Sequence, residues 1–153
     1  MVKVFVVYDT KHGNTKLVAE NIIDGLEDVE GIETAISDIE KVDLDNIPDF
    51  NLVLIGSPNH MGGPVRGITK FIDTLGKLEL EGKRVAVFDT YMGGSFNKAV
   101  QKMEKRIIEK APGLELIVPG LSVKVEGMKG PIAEGEIVNC KKFGHKIANQ
   151  IIT

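Results

Sequence analysis

Val2-Lys3-Val4-Phe5-Val6-Val7-Tyr8-Asp9-Thr10-Lys11-His12-Gly13-Asn14-Thr15 opens the chain, and the fold is decided there. Residues 2–8 are dense in β-branched and aromatic side chains, the pattern of a strand buried on both faces. Residues 9–14 make a polar turn. Val18, Ile22 and Leu26 then fall on one stripe of a helix.

Outward from this unit the alternation continues. Residues 34–39 read as a weaker strand, and residues 42–50 as a short helix ended by Pro48. Residues 52–56 are a second buried strand, followed by a loop with Pro58, Gly62, Gly63 and Pro64. Val65, Ile68, Phe71, Ile72 and Leu75 form a helical face. Residues 84–88 are a third buried strand, with a turn expected over 89–94. Phe96, Val100, Met103, Ile107 and Ala111 recur at helical spacing, with Phe96 and Met103 assigned to the core. Residues 114–118 and 121–125 are extended, broken by Pro119-Gly120. Ile137, Cys140, Gly144, Ile147 and Ile151 mark a terminal helix. Strands alternating with helices predict an α/β doubly wound three-layer sandwich of about five parallel strands. The 153 residues suit one domain, 1–153.

Composition narrows the function. The formal net charge of −3 argues against nucleic acid or an anionic membrane as main partner. A single cysteine, Cys140, excludes an intrachain disulfide and a multi-cysteine metal cluster. It sits on the apolar face of the last helix and reads as a small core residue. No basic–apolar signal segment opens the chain and no apolar run reaches about 18 residues, so the expectation is a cytoplasmic protein, monomeric, with no membrane contact.

In an open parallel sheet, ligands bind beyond the carboxyl ends of the strands. Three loops there are rich in Gly, Ser, Thr and Asn. In the first, hydroxyls of Thr10 and Thr15 can donate to phosphate oxygens, and Gly13 lets backbone approach a ligand closely. Amides of residues 11–15 would stand at a helix N-terminus, where the dipole favours an anion. The competing reading is a plain helix cap, with Asn14 or Thr15 satisfying the free amides. The chain has no G-x-x-x-x-G-K-[ST] and no G-x-G-x-x-G after the first strand, so triphosphate and dinucleotide cradles are excluded.

The stretch from Val6 to Thr15, continued by Ala19 and Ile22, resembles the FMN-phosphate signature of the flavodoxin family. Gly56-Ser57-Pro58-Asn59-His60-Met61-Gly62-Gly63-Pro64 resembles that family's second flavin loop, and Phe88-Asp89-Thr90-Tyr91-Met92-Gly93-Gly94-Ser95 the third. The pattern is short-chain and resembles most the flavodoxin module of flavodiiron proteins, without the diiron domain. The resemblance implies strand order 2-1-3-4-5, for which flavodoxin is itself the type example. It implies that Thr10, Lys11, His12, Gly13, Asn14 and Thr15 wrap the phosphate of FMN. Ser57, Pro58 and Asn59 would meet the ribityl chain. His60, Met61 and Gly62 would flank one face of the ring, and Thr90, Tyr91, Met92 and Gly93 the other. The chain has no Trp, so a Met sulfur would replace an indole against the ring.

The implied activity is that of an FMN-containing, low-potential electron carrier that docks transiently on redox partner proteins. The alternative on the same fold is an FMN-dependent NAD(P)H:quinone oxidoreductase. Residues 75–83 leave no room for the extra loop such reductases carry. A receiver-type signalling domain would need an acidic cluster after the first strand, where Asp9 stands alone. No acid–base or nucleophile–base pair stands at a strand end, which suits a carrier whose chemistry belongs to its cofactor.

Overall fold

The structure is a computed structural model that describes residues 1–152. Strand β1 (Val2–Tyr8) leads through a tight loop into helix α1 (Asn14–Glu27). Then follow β2 (Ile32–Asp38), β3 (Leu52–Pro58), α2 (Arg66–Leu75), β4 (Arg84–Tyr91) and α3 (Lys98–Lys110). Two short strands, β5 (Glu115–Leu116) and β6 (Leu121–Lys124), precede α4 (Glu136–Ile151). All pairings between these strands are parallel, in the order β2-β1-β3-β4-β5, with β6 continuing the β5 lane along β4. The predicted sheet of five lanes in order 2-1-3-4-5 is what forms. Its last lane is split as Pro119-Gly120 foretells: a Cβ on Gly120 would lie 2.5 Å from Val100 and 3.0 Å from the Val87 carbonyl.

Alternation along the strands sends side chains to two separate cores. Val4, Val6, Tyr8, Leu52, Leu54, Ala86 and Phe88 pack under α1 and α4. Phe5, Val7, Val53, Ile55, Val85 and Val87 pack under α2 and α3. Each Val, Leu, Ile or Phe among them contributes roughly 1.5–3 kcal/mol on burial. The helices on the first face touch closely because glycine allows it: a Cβ on Gly144 would lie 2.2 Å from the Ile22 carbonyl oxygen. On the second face, Arg106 clasps Asp73 through two bonds of 2.7 Å, joining α3 to α2.

Several local expectations are corrected. β2 begins at Ile32 because pairing with Val2 recruits two more residues. Pro48 lies inside a 3-10 helix (Leu44–Asp49) rather than ending an α-helix. β4 runs through 89–91, where a turn was expected, because Asp89 finds buried hydrogen-bond donors and pairs in register with Ser57. Phe96 is not core: it is 61% exposed. Asn97, with φ 63°, separates it from α3, so it leaves the helical stripe and meets Tyr91 edge-on at 5.3 Å.

Candidate functional site

A cleft of about 430 Å³ opens at the carboxyl ends of β1, β3 and β4. Of the predicted residues, Thr10, Lys11, His12, Asn14 and Thr15 line it from the first loop. Pro58, Asn59, His60 and Met61 line it from the second, and Thr90, Tyr91 and Met92 from the third.

The first loop is shaped by its own side chain: Thr10 Oγ1 accepts a hydrogen bond from the Gly13 amide at 2.8 Å. Gly13 has φ 92°, a left-handed conformation that glycine adopts without a Cβ penalty. It starts α1 with no side-chain cap and no acid in the first turn. The plain-cap reading therefore fails. The Asn14 amide donates to the Met128 carbonyl at 3.3 Å. Thr15 Oγ1 lies 3.1 Å from Thr90 Oγ1, both buried. The positive end of α1 is left directed at the cleft floor.

Ser57 differs from its neighbours in the second loop. It is fully buried and does not line the cleft. Its hydroxyl donates to the Pro58 carbonyl at 2.8 Å and accepts from the Val65 amide at 3.0 Å, so it ties the two ends of the loop together. Asn59 braces the same loop. Its amide group donates to the Thr90 carbonyl at 3.1 Å, and its Oδ1 accepts from the Ala99 amide at 3.0 Å. Beyond it, His60 and Gly63 exchange backbone bonds of 2.8 and 3.1 Å around Met61 and Gly62. Met61 (φ 52°) and Gly62 (φ 76°) are both left-handed, the geometry of a tight type I′ turn. For methionine that conformation costs about 1–2 kcal/mol. Strain of this kind concentrates at functional sites, and the Met61 side chain stands 92% exposed.

The third loop leaves β4 at Tyr91, whose hydroxyl is pushed above its usual range by burial and by the charges of Glu136 and Asp89. Met92 is exposed, and its carbonyl accepts from the Ser95 amide at 3.3 Å. Gly93, at φ 57°, completes that turn; like Gly13 and Gly62 it supplies backbone shape rather than cleft lining.

Beneath this wall lies Asp89, fully buried. Its carboxylate accepts from the Ser122 hydroxyl and, at 3.0 Å, from the Val100 amide in the first turn of α3. Burial raises its pKa above the ordinary carboxylate value, against the pull of these donors. Asp9, at the mouth of the first loop, is also raised, first by burial and then by the charge of Asp38.

Asp9, Val65, Val125 and Met128 also line the cleft and were not among the predicted residues. Val125 and Met128 come from the loop after β6. Gly127, Gly130 and Pro131 after an extended segment were the available signal, since that loop too leaves the carboxyl end of a parallel strand. Among the described residues no His/Cys/Asp/Glu group is arranged for a metal ion. Burial pushes the Cys140 thiol up to about 12, far from a reactive thiolate. No helix of the described residues is long and apolar enough to cross a membrane.

Comparison with known proteins agrees with this geometry. The sequence pattern describing the flavodoxin family matches residues 6–129. A flavodoxin of Aquifex aeolicus is 27% identical over 165 residues, covering 99% of this chain and 88% of its own. A flavodoxin structure from the domain Archaea superposes with TM-score 0.84 at 26% identity, covering 99% of this chain and all of the other. The flavodiiron core Flv1 of Synechocystis shares the fold (TM-score 0.78, 17% identity), covering 99% of this chain but 36% of that one.

Proposed function

The chain belongs to the flavodoxin family of electron carriers, and we propose that FMN is the group it carries them on, held in the cleft between the three loops. Flavodoxins work with a flavin and with redox partner proteins. The observation that carries the FMN reading is the start of α1. An uncapped helix N-terminus, entered through a left-handed glycine, stands beside the hydroxyls of Thr10 and Thr15. That donor set suits a phosphate dianion and needs neither metal nor lysine.

The residues present also fit a flat aromatic ring. Tyr91 and Met92 line the cleft from the third loop, and the turn carrying His60 and Met61 lines it from the second. The thioether of Met61 gives a polarizable surface for a ring in a chain without Trp. When bound, FMN supplies one-electron and two-electron redox chemistry. The protein's own part is to bind and orient. Thr10, Gly13 and Thr15 fix the phosphate end. Asn59 holds the second and third loops at a set distance by bonding both Thr90 and Ala99. Lys11, His12 and Asn14 close the first loop over the ligand, and Pro58, Gly62 and Gly93 give the walls their shape. The open mouth of the cleft would give a partner protein in the cytoplasm access to the bound group.

The test is anaerobic. The FMN-loaded protein mixed with NADH or NADPH should keep its yellow absorbance, and dithionite should bleach it. Rapid bleaching by either nicotinamide would replace the carrier with a reductase.

A further inference from the structure

The cleft mouth carries an apolar rim and a collar of unpaired lysines. Met61 is 92% exposed, Phe96 61%, Met128 60% and Met92 41%. Met61, Met92 and Met128 line the mouth itself, and Phe96 leans on Tyr91. Four large apolar side chains at one opening form a surface of the kind that meets another protein. Methionine is well suited to that, because its thioether adapts to different partners.

The charge around this rim departs from that of the whole chain. The protein has 22 acidic and 19 basic residues. Yet Lys98 and Lys102, one turn apart on α3, lie across the turn that displays Met61. A Cβ on Gly62 would stand 3.6 Å from the Lys98 stem, and one on Gly63 3.5 Å from the Lys102 ammonium. Lys11 lines the cleft from the first loop, and Lys129 follows Met128. None of these lysines has an ion-pair partner among the described residues. The first turns of α1, α2 and α3, all opening toward this face, contain no acid. They carry Lys16, Arg66 and Lys98 instead, placing cations where the helix dipole disfavours them. The acids near the rim are Asp9, which is half-buried and feels the charges of Asp38 and Glu40, Glu136, whose charge reaches Tyr91, and Glu126, which adjoins Val125 in sequence; none of them stands on the Lys98–Lys102 side of the Met61 turn.

We propose that this rim docks a partner protein that presents a compact acidic patch around its own exposed redox edge. The inference rests on the flavin-carrier reading, which places the electron-transfer edge at this mouth. The four apolar side chains would meet that edge, and Lys98, Lys102, Lys11 and Lys129 would pair with carboxylates around it. Opposite charge at a rim chiefly speeds and orients encounter. The overall negative charge selects a bounded acidic patch over an extended polyanion, because the rest of the surface repels the latter.

The probe is a peptide of six aspartates, titrated into the 15N-labelled FMN-loaded protein at low salt. Amide shifts should centre on Gly62, Met92, Phe96, Lys98 and Lys102 and vanish in about 0.5 M salt. Reversal in K98E/K102E should weaken the peptide by about tenfold or more, and K98Q/K102Q by less. The neutral variant keeps the test open should the reversal impair folding. Shifts that are absent, lie elsewhere or survive in both variants would overturn the proposal. So would tighter binding to phosphatidylglycerol vesicles, which would point to a lipid surface instead. The same titration on flavin-free protein separates the two readings. Rim shifts without FMN binding sink the flavin assignment alone, and FMN binding without rim shifts sinks the docking surface alone.

Discussion

Thr15 Oγ1 and Thr90 Oγ1 stand 3.1 Å apart, buried, and join the first turn of α1 to the end of β4 beneath the cleft. The pair links the loop proposed for the phosphate to the loop proposed for the ring. In flavin-free protein, Thr15→Val removes the partner of the Thr90 hydroxyl, and should cost about 1–3 kcal/mol by urea denaturation. Thr15→Val/Thr90→Val should cost less than the sum of the single changes, with a coupling of about 0.5–3 kcal/mol. Strict additivity would mean that the two hydroxyls do not interact.

Asp89 predicts an unusual pH dependence. Its pKa is raised on folding by burial. The folded protein therefore binds more protons than the unfolded chain between the two values. Its contribution is fully present below the unfolded value, about 4, and is lost as pH rises through the folded one. Asp89→Asn should flatten that part of the stability curve. Ser122→Ala, which removes a donor to the carboxylate, should steepen it. Unfolding curves at a series of pH values compare the three proteins, and three parallel curves would refute the assignment.

Gly62 concerns redox tuning. Its peptide with Met61 sits in a turn of two left-handed residues. A bound flavin would supply the redox chemistry, and glycine would let the carbonyl of this peptide reorient beside it at small steric cost. Gly62→Ala should still bind FMN, while the separation between its two one-electron potentials narrows. An equilibrium redox titration decides it, and an unchanged separation would leave Gly62 as a turn residue only.

Gly144 tests the packing. A Cβ there would meet the Ile22 carbonyl oxygen at 2.2 Å and the Leu26 amide at 2.8 Å. Backbone cannot yield as a side chain does, so α1 and α4 must move apart. Gly144→Ala should lower stability by about 1–3 kcal/mol, although Gly144 itself does not line the cleft. A stable variant in chemical denaturation would show that the helix pair is looser than the structure describes.

The layer order and both cores were legible because the strands of this sheet are continuous apolar runs between turn residues, as in 2–8 and 52–56. Site residues on the first loop were legible through a motif whose glycine and hydroxyls have a local purpose. Two kinds of error share one cause. Ser57 and Asp89 look like loop or ligand-facing residues by type, but their partners, Val65, Val100 and Ser122, are brought in by the fold. Met128 and Val125 were missed because the loop after β6 has glycines and a proline but none of the Ser, Thr and Asn that mark the other three loops, and its place at the cleft depends on the lane it leaves.

The central claim is that the start of α1, with Thr10 and Thr15, holds the phosphate of FMN. Titration of flavin-free protein with FMN, followed by flavin fluorescence, tests it against riboflavin, which lacks the phosphate. Charge-assisted hydrogen bonds at about 1.5–3 kcal/mol each predict at least a hundredfold tighter binding of FMN. No quenching by the protein, or equal affinities for the two flavins, would contradict it.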